Sequence, residues 1–171
     1  MQTKNVVVMP YNARWKTDFE EIKQELEFAL GDLAIAVEHV GSTSVPGLSA
    51  KPIIDIDVVI KDDTFFDAVV QKLSTIGYRH EGDLGIAGRE AFDYDHKPHL
   101  QKHHLYVCPE GSEELRRHLI FRDFLRHDPK AKARYALVKE KAAQLFPYDI
   151  DKYMAYKSDC IEELYQICGL K

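Results

Sequence analysis

No stretch of this chain holds the ~20 consecutive apolar residues that a membrane-spanning helix needs, so the sequence predicts no membrane insertion. Its first residues, Met1-Gln2-Thr3-Lys4, lack the apolar core of a secretory leader. Cysteine is scarce. Cys108, Cys160 and Cys168 form no Cys-x-x-Cys pair, and the last two fall eight apart on one expected helix, where they cannot bridge. This usage excludes a disulfide scaffold and fits a reducing cytoplasm. Repeats and low-complexity tracts are absent. A basic excess is missing too: the net charge of −5 disfavours broad nucleic-acid binding.

What remains is a chain of 171 residues, 45% hydrophobic and 30% charged, enough for one core or a core with a helical appendage. The charge is uneven. Residues 1–111 carry 11 basic and 18 acidic groups, whereas residues 112–171 carry 12 basic and 10 acidic. A carboxylate-bearing half beside a basic half suits a phosphate-rich ligand, although most lysines and arginines on helices coat solvated faces.

The pattern predicts a mixed α/β half followed by helices. Val6 to Met9 reads as a short strand ended by Pro10, and Asn12 as the cap of a helix with Trp15, Phe19, Ile22, Leu26 and Leu30 on one face. Strands are expected over 34–40, 53–60, 78–81, 89–94 and 103–108, with a helix over 64–76 that Gly77 stops. Gly82 to Gly88 and residues 95–102 read as loops. From Ser112 the spacing is helical, with a second start at Asp128-Pro129 and a third helix over roughly 149–168, closed by Gly169. The division is therefore a core over 1–111 and packed C-terminal helices over 112–171.

Chemistry concentrates at one place. Val40-Gly41-Ser42 precedes Asp55-Ile56-Asp57-Val58 by twelve residues. Asp55 and Asp57, two apart on a strand, project from one face. Paired carboxylates repel unless a cation lies between them, and Mg2+ (or Mn2+) bridges such oxygens to phosphates. Gly41 lets the backbone approach a phosphate; Ser42, Thr43 and Ser44 add hydroxyls, and Lys51 adds a charge.

These residues resemble the signature of the nucleotidyltransferase superfamily that includes DNA polymerase beta. The longer run from His39 to Ile56 is similar to the GrpB family within it, as are Tyr11 to Trp15, Gly85 to Arg89, His104 to Val107, Phe121 to Arg126 and Tyr153 to Lys157. The resemblance implies a nucleotidyltransferase-like mixed sheet with flanking helices. It also implies that Asp55 and Asp57 hold metal while Gly41 and Ser42 cradle the phosphates of a nucleoside triphosphate. Active superfamily members carry a third acid on a later strand. Here that strand reads His103-His104-Leu105-Tyr106-Val107, so His104 and Tyr106 face the site where an acid is expected, and the family's usual second histidine is replaced by Tyr106. His104 is the candidate base; Asp93 and Asp95 are candidates for the missing acid.

His118, Arg122 and Arg126 recur on one helical face, and Arg122 is the candidate to hold phosphate. Lys157 lies on the apolar stripe of the last helix between Tyr153 and Ile161, either snorkelling or reaching a cleft. Arg89 reaches a phosphate or simply ends a strand. The cluster Asp93, Asp95, His96, His99, His103 and His104 invites a metallohydrolase reading, but lacks a ligand motif such as His-Glu-x-x-His. The leading expectation is transfer of a nucleotide to a small-molecule or protein acceptor, with nucleic acid disfavoured. The alternative is a nucleotide- or phosphometabolite-binding protein without turnover.

Overall fold

A computed structural model describes residues 5–170; the Met1 to Lys4 stretch lies outside the described residues. Among the described residues, five strands form one sheet in the order β1-β2-β5-β4-β3. They are β1 (Ala36–Val40), β2 (Ile54–Ile60), β3 (Arg79–Gly82), β4 (Glu90–Asp93) and β5 (His103–Pro109). β2 and β5 run parallel at the centre and the other pairs are antiparallel. This is a mixed sheet with both senses of pairing.

Alternation along β2 decides its two faces. Ile54, Ile56, Val58 and Ile60 are fully buried, and they meet Leu105 and Val107 of β5 in the main core. Helix α1 (Arg14–Leu30) covers that face with Trp15, Phe19, Ile22, Leu26 and Leu30, and α2 (Phe66–Ser74) adds Val69 and Leu73. Each such side chain contributes about 1.5–3 kcal/mol on leaving water. Asp55 and Asp57 are thereby forced onto the opposite face.

Three helices lie over that opposite face. Ser112 caps α3 (Glu113–His127) by accepting from the amide of Leu115; Asp128 caps α4 (Pro129–Leu145) and Asp149 caps α5 (Ile150–Ile167) in the same manner. Each side-chain cap satisfies an amide that the helix leaves without an internal partner. Leu115 and Leu119 of α3 pack on Val59 and Cys108. Val45 and Leu48 join Leu125, Tyr135, Cys160 and Leu164, fastening the turn after β1 to the helices. No described helix is long and apolar enough to cross a membrane.

The expected strand over Val6 to Met9 does not form. Met9 alone makes a bridge, with Ala50, while the amide of Val6 donates to the carbonyl of Pro147. The segment threads between two unrelated loops, so its polar groups are satisfied singly rather than by a ladder. Asn12 does bind the start of α1, its Oδ1 accepting from the amide of Arg14 at 2.9 Å, from one residue further out than a standard cap.

Candidate functional site

The turn between β1 and β2 is shaped by its glycine. Gly41 sits at φ +72°, and a Cβ there would overlap Oδ2 of Asp55. Only glycine satisfies both the conformation and the approach. Ser42 to Ser44 then form a single 3-10 turn, with the Ser44 hydroxyl donating back to the carbonyl of Gly41 at 2.5 Å. Thr43 Oγ1 lies 2.9 Å from Nε2 of His39, whose ring stacks on Phe19 with centroids 4.6 Å apart. Burial, reinforced by the charge of Arg126, pulls the His39 imidazole down to about 4, so it braces the turn as a neutral ring.

The parallel register sets Asp55 beside His104 and Asp57 beside Tyr106. His104 Nδ1 donates to Oδ1 of Asp55 at 3.1 Å. Asp57 is wholly enclosed, 0% exposed; its Oδ2 accepts from Nδ1 of His118 on α3 at 2.6 Å. Oδ1 of Asp57 has no hydrogen-bond partner among the described residues. Burial works against a charged His118, but the hydrogen bond to Asp57 and its charge outweigh it and raise the imidazole above its ordinary value. Arg89 lies over the Tyr106 ring, 4.1 Å from its centroid.

A cavity of about 370 Å³ opens between the sheet and the three helices. Gly41, Ser42, Thr43, Lys51, Asp55 and His104 form one wall. Arg117, His118 and Arg122 from α3, Lys139 from α4 and Lys157 from α5 bring positive charge from the other side. Lys139 and Lys157 are only 3% and 6% exposed, and neither makes an ion pair among the described residues. Burial and the neighbouring lysines pull Lys157 down to about 8 and Lys139 well below the ordinary lysine value. Burying a cation without a carboxylate is costly, and a polyanionic ligand is the natural compensation. Beyond the lysines the wall turns aromatic, where Phe121 meets Tyr165 edge-on at 4.9 Å and Arg117 lies over Tyr165.

Of the residues singled out by sequence, Gly41, Ser42, Thr43, Lys51, Asp55, His104, Arg122 and Lys157 line this cavity, and Asp57 lies directly behind it. Ser44 turns its hydroxyl inward to the turn's own backbone. Arg122 is held by Glu38 at 2.7 Å and the carbonyl of His39 at 3.1 Å, so it braces α3 against β1. Arg89 and Tyr106 pair beside Asp57 but do not line the cavity. Asp93 and Asp95 supply no third acid: both are bound by Arg79 at the exposed sheet edge. The Asp/His cluster is dispersed as well. His103 is buried between Tyr78 and Tyr94, and His99 pairs with Glu25. No group of three or more His, Cys, Asp or Glu side chains among the described residues is placed to hold a metal.

Sequence reasoning passed over Arg117 and Lys139; it set His118 on the phosphate-facing side of its helix with Arg122, and the structure brings it to the cavity as the partner of Asp57. Lys139 had a readable signal. Ala131, Tyr135, Lys139 and Ala142 form one buried stripe, and a lysine in such a stripe is the feature that drew attention to Lys157.

The sheet, the glycine turn and the paired aspartates under a helical cover define a nucleotidyltransferase-like fold. Cid1 poly(U) polymerase, solved bound to MgATP, shares it with a TM-score of 0.57 at 12% identity, over 80% of this chain and 44% of that one. Within that class the chain belongs to the GrpB family, whose model, described as GrpB protein, matches residues 5–167. The GrpB protein of Enterococcus faecalis superposes with a TM-score of 0.79 at 36% identity, over 94% of this chain and 98% of that one. YqkA of Bacillus subtilis (strain 168) is 33% identical over 93% of this chain, which spans only 46% of YqkA.

Proposed function

We propose that the chain transfers a nucleotide from a metal-bound nucleoside triphosphate to a small-molecule or protein acceptor. The observation that carries this reading is the convergence of Lys139, Lys157 and the Gly41-Ser42 turn on the cavity that Asp55 enters. Asp55 and Oδ1 of Asp57 would hold Mg2+ (or Mn2+), and the partnerless buried Oδ1 fits a cation. When bound, that ion neutralises phosphate oxygens and polarises the phosphorus under attack.

The chain's own groups account for the rest. The amides of Ser42 and Thr43 at the head of the turn and the lysines take the terminal phosphates. Because His104 Nδ1 donates to Asp55, its Nε2 carries the lone pair and accepts the acceptor's proton. The acceptor oxygen bonds to the α-phosphorus, the bond to the β-phosphate bridge breaks, and pyrophosphate leaves with the displaced electron pair. The aromatic pair Phe121 and Tyr165 offers the base a flat apolar wall.

Calorimetric titration of nucleoside triphosphate with Mg2+ tests the binding, and pyrophosphate release tests the turnover. The Asp55→Ala, Asp57→Ala double variant should lose metal-dependent binding, and Lys139→Met should weaken nucleotide binding at least tenfold. Binding and release that ignore all three residues would end the proposal. A second reading, binding without turnover, is favoured on β5, where Tyr106 and not an acid stands in register with Asp57. It predicts nucleotide-induced stabilisation with no pyrophosphate released for any acceptor supplied.

A further inference from the structure

The cavity changes character along the last helix. Lys157, Ile161 and Tyr165 follow one another at four-residue spacing on α5, and all three line it. Eight residues of helical rise carry that wall about 12 Å, from a buried ammonium past an apolar side chain to an aromatic ring. The charge of Asp55 acts on Lys139 and Lys157 alike, so the phosphate end lies with the lysines. The far end belongs to Tyr165, with Phe121 edge-on to it and Arg117 over its ring, 5.0 Å from the centroid. A nucleotide laid with its terminal phosphates on the lysines would carry its base to that end.

Arg117 differs from its neighbours on α3. Arg116 is bound to Glu113, and Arg122 to Glu38 and Asp123. Arg117 makes no ion pair among the described residues, not even with Glu114 one turn back. Tyr165 holds its guanidinium through the ring face, a contact that spends none of its five N–H donors. The fork is left to meet a ligand. Asp55 is the one carboxylate among the described residues that line the cavity, so no acid stands at the aromatic end to receive an amino group. A donor-only fork tells bases apart by their edges. Guanine offers two adjacent acceptors, O6 and N7, and satisfies both arms. Adenine sets its N6 amino group beside N7, and cytosine presents its N4 amino group, so each turns a donor toward a donor. We infer that Arg117, Phe121 and Tyr165 form the base subsite of this cavity, and that it takes guanine, read at O6 and N7 by Arg117, in preference to the other bases. The inference rests on the nucleotide reading above and names its substrate.

Calorimetry with Mg2+ and non-hydrolysable triphosphate analogues of guanosine, adenosine, cytidine and uridine tests it, since these ligands share one phosphate chain and differ in the base. The whole chain should bind the guanine analogue about fivefold or more tightly than the adenine or cytosine analogue, with uracil, which offers O4 alone, between them. A 7-deazaguanine analogue, lacking the N7 acceptor, should lose about fivefold against guanine. In Arg117→Leu the preference should vanish, while affinity for inorganic tripolyphosphate, which has no base to read, stays within about threefold of the parent. A ranking without guanine first would overturn the inference and leave the nucleotide reading standing, as would a 7-deaza analogue bound as well as guanine. A folded Arg117→Leu that keeps the preference would overturn the role given to Arg117. One that loses tripolyphosphate and all four nucleotides by the same larger factor would make Arg117 a phosphate ligand and overturn the inference too. A chain that binds no nucleoside triphosphate would overturn the nucleotide reading, and this inference with it. If the variant fails to fold, the ranking and the 7-deaza comparison in the unmodified chain decide.

Discussion

His118 on α3 donates from Nδ1 to Oδ2 of Asp57 on β2 across 2.6 Å, joining residues 61 apart in the chain. One turn further along α3, Arg122 reaches Glu38 on β1. The helix is thus pinned by polar bonds to the two strands that flank the glycine turn. Removing the imidazole strands a buried carboxylate, and breaking such a pair typically costs about 3–5 kcal/mol. His118 is partly exposed, so His118→Ala should cost roughly 3 kcal/mol, read as a lower urea midpoint. Divalent cations should restore part of that loss by engaging the freed oxygen. A variant as stable as the parent in metal-free buffer would show that the bond contributes little.

Gly41 presents a sharper requirement. Alanine there must hold φ near +72° and overlap Oδ2 of Asp55. The backbone strain alone costs about 1–3 kcal/mol. Relief of the overlap moves Asp55, so Gly41→Ala should lose metal binding out of proportion to its fall in melting temperature. Unchanged Mn2+ affinity would show that Asp55 tolerates displacement.

The parts of this site that the sequence made legible are local ones. Asp55 and Asp57 share a face because strand period is two, and Ser112 and Asp128 announced their helices by cap chemistry. Val6 to Met9 misled because four apolar residues suit a strand equally well when they thread between loops. What lay beyond sequence pattern were long-range meetings. His118 with Asp57, Arg122 with Glu38 and Arg89 with Tyr106 depend on how α3 and the loop before β4 settle on the sheet. Ser44 read as a phosphate ligand because hydroxyls cluster after Gly41, yet a 3-10 turn aims its hydroxyl back at its own backbone.

Lys157 gives a dependence on alkaline pH. Burial, with Lys51 nearby, sets it at about 8, against an ordinary value of 10.5. Between those two values the unfolded chain holds a proton that the folded chain has released, so stability rises with pH across that window and is lost as pH falls through about 8. Phosphate binding runs the other way, because the ligand needs the charged lysine. Triphosphate affinity should fall about tenfold between pH 7 and 9, and Lys157→Met should flatten that slope while weakening binding at pH 7. An equally steep slope in the variant would assign the effect elsewhere.

His39 gives the acid counterpart. Its folded value of about 4 lies below the ordinary 6.5 because burial and Arg126 disfavour the imidazolium. Above 6.5 neither state is protonated at this residue and its contribution is fully present. As pH falls from 6.5 to 4, the unfolded chain takes up a proton that the folded chain refuses, and the contribution is lost by roughly 3 kcal/mol. The carboxylates that titrate near the lower end do so in any variant, so the difference between two proteins isolates the histidine. His39→Gln keeps a hydrogen-bonding group toward Thr43 and cannot titrate. Urea unfolding at pH 6.5 and pH 4 should show the parent losing roughly 3 kcal/mol more than this variant. Equal losses would mean that His39 charges freely in the fold, and that the turn carrying Gly41 and Ser42 is not braced by a neutral ring.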